Sequence, residues 1–212
     1  MFVKKITLIL TLFMVLAQPQ IVQAERAKLS TLTDFVNSFS SFRANFQQSQ
    51  PDESMFTMNR ATGYVAIERP GKLFWVYQSP EHQEIIADGV DLWIYDADID
   101  QATVRTLASV QTDFPMSWLL YNEPVEKNFD VIVGQKKNGV SWFNLEPKDA
   151  TFFQSLEVAI GDGKLQQIWM YQGADNVTKV AFEDIEMNVD IPASKFQFIP
   201  PKGVDVIGQA SR

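Results

Sequence analysis

The chain contains a single histidine, His82, set between Glu81 and Glu84. An imidazole beside carboxylates is the minimum of a proton-transfer site, but a reacting group must stand within hydrogen-bond reach of it. Nothing in the sequence places a nucleophile near His82, and no serine sits in a G-x-S-x-G elbow. Asp96, Asp98 and Asp100 begin like a calcium loop, yet Gln101 stands where glycine is needed and Leu107 where the closing glutamate belongs. There is no cysteine, which excludes disulfides, thiolate zinc sites and cysteine nucleophiles. No catalytic residue, metal or cofactor is therefore assigned, and an enzyme is not expected.

What the chain offers instead is bulky apolar surface and one well-placed cation. In Lys72 to Gln78, Leu73, Trp75 and Tyr77 share one face of a strand, and Phe74 and Val76 share the other. Trp93 and Tyr95 alternate with Leu92 and Ile94, and Ile168, Trp169, Met170 and Tyr171 load both faces of a later strand. A two-sided core explains this pattern. So does a concave apolar cavity, for which wide aromatics and adaptable methionines are suited. Arg69 opens a turn at a strand end. Taken alone it reads as a surface arginine, a charged fork of five donors.

The elements that must position these residues follow from periodicity. Leu29, Leu32, Phe35, Val36, Phe39, Phe42 and Phe46 fall at helical spacing, predicting one helix over Lys28 to Gln48. Thr31 and Asp34 suggest a loose capping box, and Gln50 to Arg60 reads as a loop. About eleven strands follow in hairpin succession, the last at Phe196 to Ile199, which predicts an antiparallel meander. Arg69-Pro70-Gly71-Lys72 fits a type II turn, and Asp88-Gly89, Asn138-Gly139 and Asp162-Gly163 are hairpin signals. Thr112 to Tyr121 interrupts the meander as a short, greasy helix, with a cap at Thr112 or Asp113 and Pro115 in its first turn.

The N-terminus reads as a secretory leader. Lys4 and Lys5 precede an apolar run from Ile6 to Ala17, and Val22-Gln23-Ala24 supplies small residues for cleavage after Ala24. The expected organisation is residues 1–24 as a cleaved signal peptide and 25–212 as one domain. With 26 acidic against 18 basic residues, two of them in the leader, the chain is a poor partner for nucleic acid or an anionic membrane surface.

Several stretches together resemble the outer-membrane lipoprotein carrier family, LolA. They are RPGKLFW from Arg69 to Trp75, the P-x-x-Q-x-I-x-x-D-G hairpin from Pro80 to Gly89, and LWIYD from Leu92 to Asp96. Phe46 with Gln48, Pro115 with Leu119 and Leu120, and FxFxPPxGVxV from Phe196 to Val206 extend the likeness over nearly the whole mature chain. The resemblance implies that residues 25–212 are a single lipoprotein-carrier domain with an α+β, mainly antiparallel fold: a strongly curved, incomplete, half-open β-barrel with a helical lid. It implies a soluble periplasmic chaperone. Such a protein accepts triacylated lipoproteins from an inner-membrane ABC exporter and delivers them to a LolB-like outer-membrane receptor, working as a monomer. It also implies that Arg69 is the lid latch. The acyl-chain cavity and lid would comprise Phe39, Phe42, Phe46, Leu73, Trp75, Ile86, Trp93, Tyr95, Phe114, Met116, Leu119, Leu120, Phe143, Ile168, Met170 and Phe182. A lipid- or lipopeptide-sensing module on the same fold is the alternative, with an acyl-chain hydrolase a more distant one.

Overall fold

The computed structural model describes residues 25–52, 57–110, 114–173 and 175–211. The leader and the cap at Thr112 or Asp113 lie outside them. Among the described residues the chain forms β1 (Glu25–Arg26), α1 (Leu29–Ser38), β2 (Ser41–Asp52), β3 (Thr57–Glu68), β4 (Lys72–Ser79), β5 (Gln83–Asp88), β6 (Asp91–Asp96) and β7 (Gln101–Thr106). There follow α2 (Leu107–Val110), α3 (Ser117–Leu120), β8 (Phe129–Lys137), β9 (Val140–Pro147), β10 (Ser155–Gly161), β11 (Lys164–Tyr171), β12 (Val177–Met187) and β13 (Asp205–Ile207). All thirteen strands form one sheet in the order β1-β8-β9-β10-β11-β12-β2-β3-β4-β5-β6-β7-β13. Two meanders, β3 to β7 and β8 to β12, are joined where β2 pairs antiparallel with both β3 and β12. The two ends of the order do not pair, so the curved sheet is a half-open barrel.

The glycine turns fix the hairpins. Asn138-Gly139 and Asp162-Gly163 take positive φ at both central positions, 51° and 83° and then 51° and 70°. That is the twist-matched turn such pairs favour. Gly71 has φ +74° as the third position of the expected turn requires, while the Arg69–Pro70 bond is cis.

The first predicted helix is shorter than its pattern. It ends at Ser38, and the chain from Ser41 is strand, so Phe42 and Phe46 stand on β2. Phenylalanines four apart satisfy both the helical and the two-residue period. The alternation of buried Phe42, Ala44 and Phe46 with the more exposed Arg43, Asn45 and Gln47 decides for strand. The expected loop from Gln50 is likewise strand at both flanks, through Asp52 and from Thr57. No capping box forms: Lys28 is the N-cap and makes no side-chain cap bond. The second helical segment is only Ser117–Leu120, preceded by a turn at Pro115 and Met116, and α2 is an additional short helix.

On the concave side one buried cluster joins Leu32, Phe35 and Val36 of α1 and Trp118, Leu119 and Leu120 of α3 to the sheet residues Phe42, Phe46, Leu73, Trp75, Phe143 and Phe182. On the convex side the C-terminal segment covers β3 to β6. Phe196 packs with Ala66 and Ile191, and Phe198 lies 5.2 Å from the Trp93 ring and 5.3 Å from that of Tyr95. The strand expected at Phe196 to Ile199 is absent, since Ala193–Phe196 is a 3-10 turn. The prolines that follow, Pro200 and Pro201, offer no N–H to a ladder. β13 then pairs parallel with β7.

The tail is fastened at its end. Asp91, 2% exposed, accepts hydrogen bonds from the Ser211 backbone N–H at 2.7 Å and from its hydroxyl at 2.6 Å. A chain ending at Ala210 leaves that carboxylate unmatched, and its stability should fall by about 1–3 kcal/mol, measured by urea unfolding.

Candidate functional site

The β3–β4 hairpin tip reaches the ends of α1 and α3. The Arg69 backbone N–H donates to Ser40 O, and that of Gly71 to Leu120 O, each at 2.8 Å. The Arg69 side chain extends the same stitch. Its Nε donates to Leu119 O at 2.9 Å, and its Nη1 donates to Val36 O at 2.5 Å and Phe39 O at 3.2 Å. The guanidinium carbon sits 3.8 Å from the centre of the Phe39 ring. One cation therefore ties α1 to α3. These acceptors are carbonyls at or near helix C-termini, which lack intrahelical partners and carry partial negative charge.

No carboxylate pairs with Arg69 among the described ion pairs, and its Nη2 is buried without a partner. Burial holds the guanidinium well below its ordinary pKa, at about 10. Hydrogen bonds from a charged donor contribute roughly 1.5–3 kcal/mol each. Desolvation and the unmatched Nη2 offset part of that, so the net hold is a few kcal/mol and reversible.

The pKa has a testable consequence. Below pH 9 Arg69 is charged in folded and unfolded chains alike and contributes no pH slope. Only as pH rises through about 10 does the folded chain lose a proton that the unfolded chain keeps. There this group's contribution to stability rises with pH, while the stitch between the helices loses a donor. The exchange protection factor of the Gly71 amide, bonded to Leu120 O, should therefore stay constant from pH 5 to 9.

Beside the closed aromatic cluster lies an apolar pocket of about 280 Å³. Of the expected cavity residues, Trp75, Phe114, Met116, Ile168 and Met170 line it. Phe39, Phe42, Phe46, Leu73, Leu119, Leu120, Phe143 and Phe182 are buried in the adjoining cluster that roofs and floors the concave face. Phe46 and Trp75 lie 4.4 Å apart, and Phe182 meets Phe42 and Trp75 edge-on at 5.8 Å and 6.3 Å.

Ile86, Trp93 and Tyr95 are not part of this arrangement. The register pairs Phe74 with Ile86 and Ile86 with Trp93, which puts them on the face opposite Trp75, and Tyr95 shares that convex face under Phe198. Their neighbours Ile85, Leu92 and Ile94 line the pocket instead. Parity along β4, carried across the hairpin, identifies these three, whereas side-chain size points to the wrong face. Tyr77 lines the pocket from the same face of β4 as Trp75, as strand parity indicates. Gln48, Phe152, Thr178 and Val180 also line it, and no sequence signal marks these four as cavity residues.

The residues that could suggest chemistry are occupied elsewhere. His82 is exposed, with Nε2 3.0 Å from Glu84 Oε1. Asp96 Oδ1 accepts from the Asp98 backbone N–H at 3.1 Å within the β6–β7 turn.

Residues 37–199 match the family model described as "Outer membrane lipoprotein carrier protein LolA". The outer-membrane lipoprotein carrier protein of Nitrosospira multiformis is 33% identical over 183 residues, covering 85% of this chain and 88% of that one. That of Methylobacillus flagellatus is 32% identical over 201 residues, covering 94% and 97%. Among solved structures, an uncharacterized conserved protein from Thermus thermophilus superposes with a TM-score of 0.53 over 84% of this chain and 96% of its own. At 11% identity that likeness is one of fold alone.

Proposed function

The chain belongs to the LolA family of outer membrane lipoprotein carrier proteins, and from that premise we propose how its closed structure carries and surrenders cargo. The role is that of a lipoprotein carrier rather than an enzyme. In the cycle proposed, the protein works in the periplasm, takes a triacylated lipoprotein from an inner-membrane ABC exporter and gives it to an outer-membrane receptor.

The observation that carries this reading is the pairing of a concave aromatic lining with a lid held by a single half-buried arginine. Burial of acyl methylenes yields about 0.8 kcal/mol each, so enclosing one chain of about 16 carbons yields roughly 12 kcal/mol. A preformed empty cavity would hold such cargo too tightly to release it. Here the protein buries its own apolar surface: Phe35 packs on Phe39 and on Trp118 of the lid, and Phe39 packs on Phe42 of the sheet. Cargo must break the Arg69 stitch and displace these contacts. Part of the acyl gain is thereby offset, and release is assisted because closure restores the more stable empty state.

The test is release of a lipoprotein. The protein beginning at Glu25 is incubated with spheroplasts that retain an outer-membrane-directed lipoprotein and a compatible exporter. The expected result is a soluble one-to-one complex. Cargo that stays in the membrane, with the carrier folded, would overturn the reading.

A further inference from the structure

The apolar pocket has a polar threshold. Tyr77 Oη donates to Gln48 Oε1 at 3.0 Å, and both residues line the apolar pocket and also a neighbouring polar one of about 250 Å³, whose walls include Ser79, Glu81 and Gln83. The pair therefore stands on the boundary between greasy interior and polar opening. The bond uses the amide oxygen of Gln48, and its amide nitrogen has no partner among the described residues. Next to it, Trp75 is 6% exposed and its indole N–H is buried without a hydrogen-bond partner. Burial raises the Tyr77 pKa and the approach of that N–H tempers the rise, although the two do not reach hydrogen-bonding geometry.

A buried donor in a native protein is nearly always matched. The buried, unmatched indole N–H of Trp75 at the rim of an apolar pocket calls for an acceptor supplied by the ligand, and the half-exposed Gln48 amide beside it offers a second donor. Arg69 stands in the turn that precedes β4, beyond Lys72, which is five residues and roughly 17 Å from Tyr77 along the strand. The lid and the threshold are thus separate ends of the cavity.

We propose that Gln48 and Trp75, with Tyr77 fixing the glutamine, bind the ester carbonyl oxygens of a diacylglyceryl group, so that the acyl chains lie inward and the polar peptide leaves past Ser79 and Glu81. This rests on the carrier reading and adds a chemical selectivity to it: the site reads the glyceryl ester junction, not only chain length. A bare hydrocarbon or an ether-linked lipid would bury the same methylenes, leave the Trp75 N–H unmatched and return the Gln48 amide to water.

Two synthetic N-acylated S-glyceryl-cysteine peptides of equal chain length serve as probes, one with ester-linked chains and one with ether-linked chains. Wild type should bind the ester probe about tenfold more tightly, the equivalent of two modest hydrogen bonds. Gln48→Leu should lower the ratio to about threefold, since Trp75 still reads an ester, and Tyr77→Phe should lower it less. The ratio is read within each variant, so a general loss of stability does not imitate the effect. Equal binding of both probes by wild type, or an unchanged ratio in Gln48→Leu, overturns the proposal while leaving the carrier reading intact. Binding of neither probe overturns both. An ester probe without the N-acyl group should keep the preference over its ether counterpart. Loss of the preference there would move the contact to the amide and refute the ester assignment.

Discussion

Arg69→Leu should load cargo and fail to deliver it. Leucine fills part of the same volume but donates no hydrogen bond, so Val36 O, Leu119 O and Phe39 O lose the donor that gathers them. In the cycle proposed the stitch is broken when cargo is inside, so the loss should fall on the closed form alone. Removal of three bonds from a charged donor, less the relief of not burying that charge, should weaken closure by about 2–4 kcal/mol. Each 1.4 kcal/mol is a factor of ten in the equilibrium, so the loaded form should gain at least tenfold. Soluble complex should still form with spheroplasts, while transfer to receptor-bearing membranes should slow by at least the same factor. Normal transfer by this variant would show that Arg69 does not latch the lid.

The second large effect concerns the empty state. Phe182 is 6% exposed and its ring meets those of Phe42 and Trp75 edge-on. Truncation to alanine leaves a hole that the stiff β12 backbone cannot close, and such changes cost about 3–5 kcal/mol. In a chain of this size the melting temperature should fall by roughly 10 °C. Acyl chains can occupy the space that the ring vacates, so bound lipopeptide should narrow the gap between variant and wild type. An unchanged melting temperature in the empty protein would contradict the view that its own aromatics fill the cavity. An equal gap with and without lipopeptide would place Phe182 outside the space that cargo uses.

Much of this design is legible in the chain. Hairpin glycines, alternating strands and the aromatic load of Lys72 to Gln78 lead to an antiparallel curved sheet, and the residues around Arg69 lead to the family. The misreadings have physical causes. Phe42 and Phe46 fit two periods at once, and only pairing with β3 and β12, the latter more than 130 residues distant in register, makes their segment a strand. Trp93 and Tyr95 are large enough to suggest a ligand, but their face is set by register and covered by Phe198 from the far end of the chain. No local pattern reveals that cover. Gln48 and Tyr77 are ordinary residues whose meaning arises only when β2 and β4 bring them together. The partners of Arg69 are backbone carbonyls, which every residue carries, so no side-chain pattern marks them.

The exchange of lid closure for acyl burial can be observed directly. The chain has no cysteine, so Asn37→Cys on α1 and Asn122→Cys just beyond α3, both exposed, give two unique labelling sites on the elements that Arg69 joins. Spin-label distances between them should be short and narrowly distributed in the empty protein. They should become longer and broader when a triacylated lipopeptide is bound. The same distribution in a demonstrably loaded complex would mean that cargo enters without parting the lid, and the exchange proposed here would be wrong.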